Sequence, residues 1–372
     1  MKQYKFPLLL IICLYISTKP VYAQNDYYAT DSSLFSGVSI VNGGFENGKR
    51  IIKVSSADKI FKFSADDIKE YGLVDGTRYF SKEIKFIANN HKVFLELLST
   101  GKYKLYMYSE GKTPRFFIEK ENSFFTELIK DNHQYKAQLK TIFNSNPHVS
   151  DNIKLLKFKR KYLIRLLDNL NKNLNRPIPH TKIGLSTIFN QTSLNVPDDI
   201  ANKYLSGLSF EKNNSFGVGL YIDTPIEMSN LTLNVGLNYQ KSSFSTNSQK
   251  NNTETDIVVN ISSLDIPLLL RYTITKFRWM PFFNLGGNFG RTIRYSDEFY
   301  LSERNENIIT IQKVEDLKLL NKNMVGFSLG TGFQYRLNYR SYIGSELRYS
   351  RFLSTNNFLG IDQIQLILSF SF

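Results

Sequence analysis

The clearest pattern in the chain is an alternation of period two. Odd positions from 325 to 337 read Val325, Phe327, Leu329, Thr331, Phe333, Tyr335 and Leu337, while even positions read Gly326, Ser328, Gly330, Gly332, Gln334 and Arg336. One face is bulky and apolar, the other small or polar, which is the signature of a strand with two different environments. The same texture recurs at 183–190, 216–222, 231–240, 264–274, 283–290, 343–350 and 363–372. Period two alone is open to three readings. A soluble sandwich or a lipocalin-like barrel turns the bulky face inward, whereas a membrane barrel turns it toward lipid and fills its lumen with the small polar face.

The connections favour the membrane barrel. They run long (191–213, 243–260, 295–322) and short (223–230, 275–280, 338–341) in alternation. Outer-membrane barrels have long extracellular loops and short periplasmic turns. The expected fold is therefore an all-β membrane barrel of eight antiparallel strands, closed and up-and-down, over residues 181–372. Both of its ends face the periplasm in this reading, and residues 24–180 with them. The ending Ser369-Phe370-Ser371-Phe372 is similar to the terminal aromatic signal read by the barrel-assembly machinery.

Ahead of the barrel the pattern is mixed. Short strands are expected at 38–41, 50–54, 60–63, 79–86, 93–98, 103–108 and 115–119, with turn signals at Asp75-Gly76, Thr100-Gly101 and Glu110-Gly111. Helical periodicity follows at 135–143 and 150–174, with Ser150 and Asp151 as N-cap candidates. Leu156, Leu163, Leu167, Leu170 and Leu174 form an apolar stripe on the second helix, and Lys154, Lys157, Lys159, Arg160, Lys161 and Arg165 make it basic. The plain reading of those cations is a solvated face on a helix packed against the sheet. The functional reading is attraction to an anionic leaflet or the cell wall. Arg176-Pro177-Ile178-Pro179 reads as a stiff linker. The expected organisation is thus a smaller α+β periplasmic domain, 24–180, before the barrel.

The N-terminus supplies the route. Lys2 and Lys5 precede an apolar run and then Val21-Tyr22-Ala23, which reads as a secretory signal peptide over residues 1–23. The single cysteine, Cys13, lies within it, so no disulfide or thiolate site is expected afterwards. The formal charge is +14; removal of residues 1–23 takes Lys2, Lys5 and Lys19 and no acid, leaving +11. Such a charge favours anionic partners. For an exported chain these are outer-membrane lipid, lipopolysaccharide and cell-wall polymers, not nucleic acid.

Candidate chemistry is sparse. Asp265, Arg271, Gln334, Arg336, Glu346 and Arg348 point into the lumen in this register. The interior of eight strands is just wide enough for side chains. The plain reading is a salt-bridged plug, and the sharper one a proton or ion path. The histidines His91, His133, His148 and His180 form no H-x-x-x-H pair, and no nucleophile elbow, P-loop or dinucleotide fingerprint is present. No catalytic residue, metal or cofactor is expected, and the protein is read as a non-enzyme.

The run Leu264-Asp265-Ile266-Pro267-Leu268-Leu269-Leu270-Arg271-Tyr272, followed by Pro281-Phe282-Phe283-Asn284-Leu285-Gly286-Gly287, resembles the PorT-like outer-membrane barrel family. Asp75-Gly76-Thr77-Arg78-Tyr79, Gly101-Lys102-Tyr103-Lys104-Leu105-Tyr106 and Tyr135-Lys136-Ala137-Gln138-Leu139-Lys140 resemble the domain that precedes such barrels. That resemblance implies an outer-membrane protein, and weakly an accessory role in a protein-secretion apparatus. The leading expectation is a membrane anchor for a periplasmic binding domain, which would meet an envelope protein or the cell wall. A secretion accessory and a surface receptor or transport protein are the alternatives.

Overall fold

The computed structural model describes residues 25–372 apart from 47–48, 57–58, 87–89, 111–112, 121–123, 145–146, 197–209, 251–252, 277, 306–307, 315–321 and 355–359. The expected signal peptide and the Gly111 turn lie outside the described residues. The chain divides into two compact units, Met1–Tyr135 and Lys136–Phe372.

The first unit is one antiparallel sheet. Its strands are β1 (Asp26–Ala29), β2 (Leu34–Glu46), β3 (Lys49–Ser56), β4 (Lys59–Phe63), β5 (Glu70–Gly72), β6 (Arg78–Lys85), β7 (Asn90–Ser99), β8 (Tyr103–Tyr108), β9 (Arg115–Lys120) and β10 (Phe124–Leu128). The order is β10-β9-β8-β7-β6-β5-β1-β2-β3-β4. Alternate side chains build two clusters: Ile40, Ile52, Val54, Ile68, Tyr71 and Phe94, and Ile84, Leu95, Tyr106 and Phe117. Gly76 and Gly101 have positive φ, as the turn signals at those positions demand. Strands β1, β5 and β10 were not foreseen. The two shortest are held by register, since Tyr28 pairs with Tyr71 on one side and Phe35 on the other.

The expected α+β character of the N-terminal region needs correction. Apart from a short 3-10 turn at Asp131–His133, the described part of the first unit forms no helix. The helices group with the second unit instead. They are α1 (Gln134–Ile142), α2 (Pro147–Leu155) and α3 (Arg160–Asn171). The single helix expected at 150–174 is two, because Lys159 is extended (φ −140, ψ 146) and breaks it. The apolar stripe survives the break, with Leu156, Leu163 and Leu167 buried.

The second unit carries nine strands: β11 (Lys182–Asn195), β12 (Asn213–Pro225), β13 (Leu231–Lys250), β14 (Thr253–Thr273), β15 (Trp279–Asn305), β16 (Ile308–Val314), β17 (Asn323–Arg336), β18 (Tyr342–Ser354) and β19 (Gly360–Ser371). Eight form a ring in the order β11-β12-β13-β14-β15-β17-β18-β19, with β19 pairing back to β11. Strand β16 is a hairpin extension on β15. All eight alternating segments of the sequence are ring strands, but three are longer than their apolar alternation. The stretches 243–260 and 295–322, expected as loops, are largely strand: β13 pairs with β14 out to Lys250–Thr253, and β15 runs to Asn305.

The bulky face points outward. Ile183, Leu185, Leu220, Leu268, Leu285, Leu329, Leu347 and Leu366 are among its exposed members, while Asn190, Asn234, Asn284, Ser328 and Gln365 are buried. No helix among the described residues is long and apolar enough to cross a membrane, which says nothing of strands.

Candidate functional site

The bore of the ring is layered. Nearest the short turns lies a charged layer built from six strands. Lys182 Nζ on β11 is 2.9 Å from Asp223 Oδ2 on β12, and Arg271 Nη1 on β14 is 3.6 Å from the same oxygen. Arg271 Nη2 reaches Glu346 Oε2 on β18 at 3.1 Å, and Arg348 Nε reaches Glu346 Oε1 at 2.6 Å. Arg271 Nε also donates to Asn284 Oδ1 at 2.9 Å, and its guanidinium lies 4.1 Å from the centre of the Phe282 ring. Lys182 Nζ donates to Gln334 Oε1 at 3.0 Å. Removing charges from water is costly unless each meets a partner. Here three cations share two carboxylates and two amides, so the layer is a cross-braced plug.

The structure thus brings together Arg271, Glu346, Arg348 and Gln334 of the six residues expected in the lumen. Asp265 is buried but sits apart, accepting from Gln240 Nε2, while Gln240 Oε1 accepts from Asn190 Nδ2 at 2.6 Å. Arg336 is only half buried; at the turn end it donates to Asn175 Oδ1 at 3.1 Å. Sequence reasoning missed Lys182 and Asp223 because each lies one position beyond the segment then read as strand. Continuing the alternation by one residue at 183–190 and 216–222 would have found both.

Above Asp265 the bore changes character. Phe244, Ile257, Val259, Phe299, Met324 and Phe352 belong to a buried apolar cluster. The first four lie in the parts of β13, β14 and β15 that extend past the expected strands, and Met324 and Phe352 lie on β17 and β18. A bulge makes this possible: Ser262 pairs with Arg294 but Ser263 with Thr292, leaving Ile293 as the extra residue on β15. Inward positions on β15 are even before it (Asn288, Thr292) and odd after it (Phe299, Leu301).

The turn end is covered. The linker places Ile178 at 0% exposure. Its backbone N–H donates to Asn152 Oδ1 at 3.2 Å, and the Arg176 carbonyl accepts from Asn169 Nδ2 at 2.9 Å and Asn152 Nδ2 at 3.2 Å. Helix α3 is tied to the turn between β12 and β13 by Lys161–Glu227 at 2.6 Å and Arg165–Asn230 at 3.4 Å. On α2, the Lys154 ammonium lies 4.5 Å from the Tyr339 ring in the turn between β17 and β18. The basic helices therefore pack on the turn end of the ring, where a sheet-packed face was expected. Two cavities lie along the bore, of about 50 Å3 beside His180 and Tyr342 and about 10 Å3 beside Asp265 and Phe352. These hold a few waters at most.

His180 ends the linker. Its Nδ1 lies 3.1 Å from the Ile178 carbonyl, and its ring is 6.0 Å from that of Tyr342. Burial holds its pKa below the usual histidine value, and the cations Lys182 and Arg340 push the same way. Among the described residues no group of three or more His, Cys, Asp or Glu side chains could hold a metal ion.

Comparison with known proteins bears on this arrangement. Residues 180–356 match the family described as outer membrane protein beta-barrel domain. No curated protein matches the chain in sequence. Similar solved structures include the outer membrane protein OprG from Pseudomonas aeruginosa, at 14% identity over 53% of this chain and 96% of that one, with a TM-score of 0.33. The attachment invasion locus protein Ail of Yersinia pestis is similar at 12% identity over 52% of this chain and 99% of that one, with a TM-score of 0.25. The family match falls on the ring with its apolar outer face and takes in seven of its eight strands, β11 to β18.

Proposed function

We propose that this protein is a non-enzymatic outer-membrane anchor whose barrel holds the ten-strand N-terminal unit in the periplasm. One observation carries the reading: the bore is filled along its length. The linker and helices cover the turn end, charged side chains brace the bore next to it, and apolar side chains fill the extended end. In this reading the side chains described in the bore block solutes, and the value of the barrel lies in position. In this reading residues 1–23 direct export, the short turns face the periplasm, and the β13–β14 hairpin faces outward. The PorT-like assignment belongs to the same proposal, on the strength of 264–272 and 281–287.

Orientation is tested by labelling. A cysteine at Ser248 should react with a membrane-impermeant maleimide on intact cells, and one at Glu227 only after the outer membrane is breached. The reverse pattern would refute the topology. Conductance tests the anchor: planar bilayers containing the purified protein should stay silent, and steady single-channel steps would replace the anchor with a pore.

A further inference from the structure

The helical cover of the barrel holds a pair of half-buried arginines. Arg165 lies on α3 and Arg176 opens the linker. The Nε of each is buried and has no hydrogen-bond partner among the described residues. Among the described residues the one hydrogen bond to the Arg165 side chain is long and neutral, to Asn230 Oδ1 at 3.4 Å. Arg176 is placed beside Arg165 by the chain: its carbonyl accepts from Asn169 Nδ2 at 2.9 Å, and Asn169 lies one turn beyond Arg165 on the same face of α3. Burial lowers the pKa of Arg165 and the Arg176 charge lowers it further, against a smaller opposing pull from Asp168. Guanidinium donors left buried and unpaired are costly, and the cost vanishes when an anion meets them.

The place says which anion. Asn230 lies in the turn between β12 and β13, where the outward apolar band ends. Trp279 is 61% exposed there, 4.8 Å from the Tyr335 ring. An exposed Trp beside a half-buried Tyr at a strand end marks the level of lipid headgroups. Around the pair the cover is strongly basic, with seven cations and two acids between Asp151 and Lys172. The turns add Lys276, Arg278 and Arg340, all exposed.

We propose that Arg165 and Arg176 form a site for the phosphate of an anionic phospholipid headgroup at the turn-end rim of the barrel. The planar guanidinium fork suits phosphate oxygens better than an ammonium does. The surrounding lysines raise the local concentration of anionic lipid, and the arginine pair binds one headgroup. The choice of phospholipid rests on the orientation proposed above, which puts this rim in the periplasmic leaflet.

The test uses the full chain in detergent micelles, with added phosphatidylglycerol, phosphatidylcholine or inorganic phosphate, read by native mass spectrometry. Phosphatidylglycerol should be retained in preference to phosphatidylcholine. Arg165→Gln/Arg176→Gln should weaken that retention by roughly tenfold or more, as loss of charge-assisted hydrogen bonds implies, and Lys241→Gln, far from the rim, should leave it unchanged. Equal retention of the two lipids, or a double variant that binds like the parent, would overturn the site. Displacement of the lipid by an equal concentration of inorganic phosphate would overturn its assignment to lipid. A gel shift on heating confirms that each variant is folded. If the double variant is not, Arg165→Lys and Arg176→Lys carry the same comparison, each keeping charge and losing the fork. Labelling of Ser248 from the wrong side would refute the orientation while leaving micelle binding intact; lost lipid preference leaves the orientation standing.

Discussion

Arg271 is the keystone of the bore. It spans Asp223 and Glu346 from a strand that adjoins neither of theirs. Arg271→Met leaves three cations' work to two, with Asp223 held by Lys182 alone. Removing one partner of a buried ion pair costs about 3–5 kcal/mol, and urea unfolding of the folded barrel in micelles should show a loss of that order. An unchanged midpoint would mean the layer is filler. His180 gives a second prediction, in pH. Its folded-state pKa is depressed by burial, so the fold favours neutral imidazole. That stability is present above the unfolded value of about 6.5 and is lost as pH falls from there through the lower folded-state value. The charged neighbours are Lys182, Arg340 and Asp223, and the two cations outweigh the acid. Amide exchange at residues 176–181 should therefore quicken from pH 8 to pH 5, and His180→Gln should remove that dependence.

At the scale of the element, most strands were legible because period two survives in single sequences. What hid was whatever changed parity or lost contrast. Beyond Gln240 the inward face turns from Asn and Gln to Phe244, and the outward face from Leu to Lys241 and Ser243, so the contrast inverts and resembles a loop. The Ile293 bulge then shifts the parity of β15. Deleting Ile293 would restore strict alternation, with Thr292 inward, Arg294 outward and Tyr295 inward. We expect that variant to keep the heat-dependent gel shift of a folded barrel, while deletion of Leu285 in mid-strand abolishes it, because a slip of one residue there turns every later side chain to the other face. Leu285 also tests the outward face. It is 65% exposed, and Leu285→Arg should destabilise the barrel in lipid by about 2–4 kcal/mol if it lies at mid-depth; a cost near zero would take that face out of the bilayer. The helices were legible as helices, but not what they cover. Their apolar stripe says that something is buried, and only the contacts at Glu227, Asn230 and Tyr339 say that it is the ring's turn end.

The whole molecule was legible in outline: eight alternating segments, an inward polar set, and a strand-rich region in front. The grouping of the helices was not, since no local pattern records which neighbour a stripe will meet. Of the six lumen residues, four fall into one network because they share a level along the bore, a property that needs register as well as parity. Register also sets an order of events. Gly184 pairs with Ser371 and Asn195 with Gly360, so one seam of the ring joins segments separated by nearly the whole unit. In the sheet, by contrast, most partners are next in sequence, as Tyr103 is to Lys120 and Phe80 to Leu95. Contacts between distant segments form late. The sheet can finish while the ring still lacks its final strand, and until β19 arrives both β11 and β18 present open edges. The molecule thus carries its own timetable: the sheet is complete first, and the ring closes after it.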